Sequence, residues 1–81
     1  MKSVGLIGLG RFGKILVNIL QKGYSISAYD INNKGPISNV NFCNLDKVLE
    51  EHVIFIAVPI RSFDSLIKDI STKLKPGTTL I

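Results

Sequence analysis

Apolar residues fall along the chain in short runs that alternate with helical stripes. Val4 to Ile7 is an apolar run interrupted only by Gly5, and it predicts a buried first strand over 2–8. Phe12, Ile15, Leu16, Ile19 and Leu20 then recur at i, i+3, i+4, i+7 and i+8, the spacing of one face of a helix over 11–22. From Tyr24 to Tyr29 the pattern changes to strict alternation, with Tyr24, Ile26 and Ala28 against Ser25, Ser27 and Tyr29, which predicts a strand with one more polar face. Val40-Asn41-Phe42 suits a short third strand. Val53-Ile54-Phe55-Ile56-Ala57-Val58 has no alternation at all, and such a run predicts a strand buried on both faces. Phe63, Leu66, Ile67, Ile70 and Leu74 form a second helical stripe, and Thr78 to Ile81 begins a fifth strand.

Turn chemistry separates these segments. Lys22-Gly23 closes the first helix with a basic last turn and a glycine beyond it. Residues 30–36 read as turn throughout, which leaves no room for a regular crossover helix. Asn44 or Asp46 is suited to cap a brief helix through Glu51, Pro59 ends the fourth strand, and Ser62 is the expected N-cap of the next helix, with Asp64 in its first turn. Lys73-Leu74-Lys75-Pro76-Gly77 stops that helix. The resulting order predicts an α/β, Rossmann-like, doubly wound parallel sheet with strand order 3-2-1-4-5. Right-handed crossovers put the first helix on one face and the later two on the other. The first face is then short of cover over strands 4 and 5, where Phe55 or its neighbours Ile54 and Ile56 must point. The chain also stops in mid-strand. Residues 1–81 are therefore expected to be the front part of one dinucleotide-binding domain in a longer protein, and the isolated piece to self-associate.

Composition narrows the picture. The chain has 81 residues, 46% of them hydrophobic, enough for one small globular domain but not two. A net charge of +4 comes from basic residues scattered through the sequence, so a solvated basic surface is expected rather than a nucleic-acid interface. The single Cys43 excludes an internal disulfide, and His52 has no second ligand at metal spacing. No stretch reaches the roughly 18 apolar residues of a membrane span. The first residues already belong to a core strand, which leaves no signal peptide and makes the cytoplasm the expected location.

Chemistry concentrates at Gly8-Leu9-Gly10-Arg11-Phe12-Gly13, spaced G-x-G-x-x-G between a strand and a helix, with Asp30 twenty residues beyond Gly10 at the end of the next strand. Three glycines alone are a weak signal; strand, helix, second strand and acid together form the dinucleotide fingerprint. Gly8 allows a sharp exit from the strand, Gly10 a close approach of backbone to a pyrophosphate, and Gly13 tight packing of helix on strand. First-turn amides of the helix, backed by its dipole, face the phosphates. Asp30 is placed to accept the adenosine ribose hydroxyls, and its charge favours NAD over NADP, although Lys34 in the following loop works the other way. Arg11 is in reach of a phosphate. The bland alternative is a tight strand-to-helix turn with no ligand.

With these pieces in place, the sequence resembles the nucleotide-binding domain of the prephenate and arogenate dehydrogenases of aromatic amino-acid synthesis. The resemblance is carried by Ile7-Gly8-Leu9-Gly10-Arg11-Phe12-Gly13, by Ala57-Val58-Pro59-Ile60 and by Leu74-Lys75-Pro76-Gly77-Thr78, and neighbouring hydroxy-acid and imine dehydrogenases share it. It implies NAD, with NADP tolerated, held by the backbone of Leu9 to Phe12 and by Asp30, with Val58 and Pro59 beside the nicotinamide-side ribose. It also implies oxidative decarboxylation of a cyclohexadienyl substrate, whose catalytic histidine and binding arginines belong beyond Thr78; His52 does not match that histidine. No catalytic residue is therefore assigned here. The substrate is expected to bind only with a downstream domain, and the full-length form to be a homo-oligomer. A second resemblance, through Gly8 to Gly13, is to the nucleotide-sensing regulatory domains of potassium-uptake systems, which usually lack the Val58-Pro59 and Lys75-Pro76-Gly77 segments.

Overall fold

A computed structural model describes residues 2–32, 37 and 40–81. Along it run β1 (Lys2–Ile7), α1 (Arg11–Leu20), β2 (Tyr24–Tyr29), β3 (Val40–Phe42), α2 (Leu45–Val48), β4 (Val53–Ile56), α3 (Ile60–Ile70) and β5 (Thr79–Leu80). The strands form one parallel sheet in the order β3-β2-β1-β4-β5, as the element order requires. Central β1 pairs with β2 from Lys2↔Tyr24 to Ile7↔Tyr29 and with β4 from Gly5↔Ile54 to Ile7↔Ile56. This register brings the C-terminal ends of all three strands to one level. The strand order reverses at β1, so a crevice opens there, beyond those ends.

Each face of the sheet carries its own core. On the α1 side Val4, Leu6, Leu9, Val17, Ile26 and Ala28 are buried together; on the other, Ile7, Val48, Leu49, Ile54 and Ile70 gather β1 and β4 with α2 and α3. The alternation of Val4 and Leu6 against Ile7 along β1 is what splits them.

Helix α1 is rotated relative to the stripe read from the sequence. Gly13 and Val17 are buried and Leu16 and Leu20 half-buried, while Phe12, Ile15 and Ile19 are 60%, 52% and 62% exposed. Gly13 sets this rotation. A Cβ at that position would run into the Gly8 carbonyl, so the glycine edge of the helix is the only one that can approach the loop so closely. The apolar arc of α1 is wider than the sheet can cover, and its surplus faces outward. An exposed apolar stripe of this kind favours association. Sedimentation of the purified chain is expected to show self-association, and the pair Ile15→Gln and Ile19→Gln to return it to monomer without lowering Tm by more than about 2 °C; an oligomer unchanged by both substitutions would place the contact elsewhere.

Strand β4 is also less enclosed than its apolar run predicts. Only Ile54 is fully buried; Ile56 sits on the α2/α3 side, and Phe55 is the residue that turns to the α1 side, where it stays half-buried. Helix α3 starts at Ile60 with Pro59 as its N-cap residue, and the Ser62 amide donates to the Pro59 carbonyl at 2.9 Å, so Ser62 lies inside the first turn rather than capping it. Proline disfavours helical geometry in the residue before it and cannot be an internal donor, so the helix begins directly after it. At α2 the cap is Asn44, whose side chain accepts from the Lys47 amide at 2.9 Å. Among the described residues no helix is long and apolar enough to cross a membrane, and no cluster of side chains suits a metal ion.

Candidate functional site

The loop between β1 and α1 is held by backbone contacts from both neighbouring strands. Gly8, at φ +100°, donates its N–H to the Tyr29 carbonyl at 2.8 Å, and a Cβ there would run into the Ala57 carbonyl. Leu9 buries its side chain completely in the α1-side core and donates its N–H to Asp30 Oδ2 at 2.6 Å. Gly10 follows in an extended conformation as the N-cap residue of α1, and a Cβ at Gly10 would meet nothing within 4 Å. The three glycines therefore have different reasons. Gly8 and Gly13 are required by the chain's own backbone; Gly10 is exposed, and no contact of the chain requires a glycine there.

That space lies at the start of α1. The helix has no side-chain cap and no acidic residue in its first turn. Its first internal hydrogen bond runs from the Lys14 amide to the Gly10 carbonyl, 3.0 Å. The amides of Arg11, Phe12 and Gly13 have no acceptor within the helix, and with the helix dipole they make a site for an anion. Asp30 is half-buried beside them, with Oδ1 accepting from the Asn32 amide at 2.8 Å while Oδ2 accepts from Leu9. A carboxylate offers about four lone-pair positions, so both oxygens retain capacity for hydroxyl donors.

Two clefts meet at Gly10. The larger, about 630 Å³, lies between the ends of β1 and β2 and the flank of α3; Gly8, Gly10, Asp30, Ile31 and Asn32 line one side, Arg61, Ser62, Ser65 and Asp69 the other, and Val58 and Pro59 the end. The smaller, about 320 Å³, lies across the loop and is lined by Gly10, Arg11, Phe12 and Ile56 to Pro59. Gly10, Ala57, Val58 and Pro59 border both. An elongated ligand with an anionic middle would lie over Gly10 with one end in each cleft. Seven of the nine residues singled out in the sequence line these clefts. Leu9 and Gly13 do not; the first is core with its amide engaged by Asp30, and the second is packed against Gly8. Lys34 lies outside the described residues.

The polar flank of α3 was not singled out in the sequence. The signal was available, because Arg61, Ser62, Ser65 and Asp69 are the complement of the apolar stripe Phe63, Leu66, Ile67, Ile70. His52 is exposed and precedes β4, at the end of the sheet opposite the clefts. Burial pushes the Cys43 thiol up from its usual range, so it is a poor nucleophile.

Comparison with known proteins agrees with this geometry. Residues 3–81 match the family model described as NADP oxidoreductase, coenzyme F420-dependent. No curated protein matches in sequence. Among solved structures, an NAD-dependent formate dehydrogenase from Staphylococcus aureus in complex with NAD is similar at TM-score 0.79 and 24% identity, over 98% of this chain and 25% of that one. D-2-hydroxyisocaproate dehydrogenase gives TM-score 0.82 and 24% identity over 99% of this chain and 26% of that one. A semialdehyde dehydrogenase NAD-binding protein from Cupriavidus necator, in complex with calcium and NAD, gives 0.79 and 22% over 99% and 32%. At these identities the likeness is one of fold. The chain spans between a quarter and a third of the length of these solved chains.

Proposed function

The chain belongs to the family of coenzyme F420-dependent NADP oxidoreductases, as a dinucleotide-binding domain of the NAD(P)-dependent type, and from that premise we propose that its two clefts hold one NAD(P) molecule across Gly10. The observation that carries this reading is the open space at Gly10, at a helix start with neither a capping side chain nor an acid in its first turn. The pyrophosphate lies against the amides of Arg11 to Gly13, with the Arg11 side chain at the edge of the smaller cleft. The adenosine ribose hydroxyls donate to Asp30, whose hydrogen bond to Leu9 keeps the glycine loop and the ribose site in one fixed relation. Val58 and Pro59 form the wall common to both halves, and Phe12 shields the nicotinamide end. When bound, the nicotinamide accepts or donates hydride; the protein's part here is to bind it and orient it. We assign the substrate of the whole protein to the prephenate or arogenate class, on the segments Ala57 to Ile60 and Leu74 to Thr78. Family membership favours this enzymatic reading over a nucleotide sensor.

Calorimetry with NAD and NADP tests the binding. NAD is expected to bind more tightly, since a 2′-phosphate beside Asp30 meets like charge. Asp30→Asn keeps an acceptor for the Leu9 amide and is expected to narrow the gap between the two. Asp30→Ala, which also releases the loop, is expected to weaken NAD about tenfold or more. Absence of binding by either dinucleotide would overturn the proposal, and assay of the full-length protein with prephenate and arogenate decides the substrate.

A further inference from the structure

To Arg11 and Lys34, the cations the sequence places near a phosphate, the larger cleft adds Arg61; Lys34 lies outside the described residues. The two clefts separate Arg11 from Arg61. Arg11 lines the smaller cleft, across the glycine loop from Asp30, whereas Arg61 lines the larger one together with Asp30 and Asn32. Arg61 stands in the first turn of α3, exposed, and takes part in neither of the ion pairs among the described residues, Lys47–Glu50 and Lys73–Asp46. Its wall of the cleft is otherwise hydroxyls and one acid, Ser62, Ser65 and Asp69. Arg61 thus shares one cleft with the Asp30 carboxylate and makes no ion pair among the described residues, and a guanidinium is the side chain best matched in charge and donor pattern to a phosphate dianion.

We propose that Arg61 is the residue that determines tolerance of NADP: its guanidinium receives the 2′-phosphate that Asp30 alone would reject, so the two side chains on opposite walls set the preference between the cofactors. This rests on the reading that the larger cleft takes the adenosine half. With NAD bound, Asp30 accepts the ribose hydroxyls and Arg61 has no role in affinity. With NADP bound, the added charge is drawn to Arg61 and away from Asp30. The site is then a weak selector for NAD rather than an exclusive one.

The test is calorimetric titration of wild type, Arg61→Ala and Arg11→Ala with NAD and with NADP. Arg61→Ala is expected to weaken NADP about tenfold or more and to leave NAD within about twofold. Arg11→Ala is expected to weaken both alike. The salt dependence of NADP binding should also become shallower in Arg61→Ala, because one phosphate contact is gone. Equal losses for the two cofactors in Arg61→Ala would show contact with a part they share, and would overturn the proposal while leaving the cofactor site standing. So would an unchanged NADP affinity, a selective effect of Arg11→Ala, or a wild type that binds NAD but not NADP. Failure of wild type to bind either dinucleotide would instead remove the cofactor site and this inference with it.

Discussion

Gly10→Val is expected to abolish dinucleotide binding and leave the fold standing. At Gly10 the backbone is extended, with φ −72° and ψ −159°, a conformation that any L residue adopts. A Cβ there meets no protein atom within 4 Å, so the valine methyls enter only the space above the helix start. In the proposed binding mode the pyrophosphate comes within hydrogen-bond distance of the first-turn amides there, and a branched side chain would hold it off. Glycine is also a better N-cap than valine, which adds a stability cost of about 1 kcal/mol. Calorimetry should therefore show NAD affinity reduced beyond detection, and circular dichroism a Tm lowered by only a few degrees. Equal NAD affinity in the two proteins would show that the phosphates do not cross Gly10.

Gly13→Ala is expected to produce the opposite result, a strongly destabilised fold. One methyl group at Gly13 is directed into the Gly8 carbonyl, which belongs to backbone already held by Tyr29 and backed by Ala57. Neither partner is the flexible end of a side chain, so α1 must lift away from the sheet or rotate. Either motion opens the packing of Val17 and Leu9 against Val4, Leu6 and Ile26. Overpacking of this kind costs about 3 kcal/mol where the neighbour cannot yield. A domain this small has a total stability of only about 4–12 kcal/mol, and each kcal/mol moves Tm by about 4–8 °C. Thermal unfolding should show Tm lower by about 12–24 °C, before any question of binding. An unchanged Tm would mean that α1 pivots freely and that Gly13 does not set its rotation.

These two glycines are alike in the sequence and differ only in what surrounds them. G-x-G-x-x-G named all three positions at once, and the spacing of Asp30 placed an acid near them. Which glycines the chain itself requires is a question about neighbours far away in sequence, Ala57 for Gly8 and Gly8 itself for Gly13. Asp30 is similar. Its position at the end of β2 was legible, but its hydrogen bond to Leu9, across 21 residues, appears only when β1 and β2 lie in register. That bond makes the acid a support of the loop, in addition to the ribose-accepting role proposed for it.

By itself, the sequence determined the order of elements, the parallel sheet and the faces its helices take. Those follow from local periodicity, turn residues and the handedness of crossovers, which are properties of short segments and of chain chirality. Only the tertiary structure decided the rotation of α1, because Phe12, Ile15, Leu16, Ile19 and Leu20 are equally apolar and a wide stripe does not say which part faces in. One close contact at Gly13 settles it, and leaves Phe12, Ile15 and Ile19 in solvent. It also decided the partial exposure of β4, since an apolar run records what a strand can bury and not how much cover stands over it. The cleft flank of α3 came last: Arg61, Ser62, Ser65 and Asp69 read as ordinary solvated helix until the ends of β1 and β2 are set opposite them.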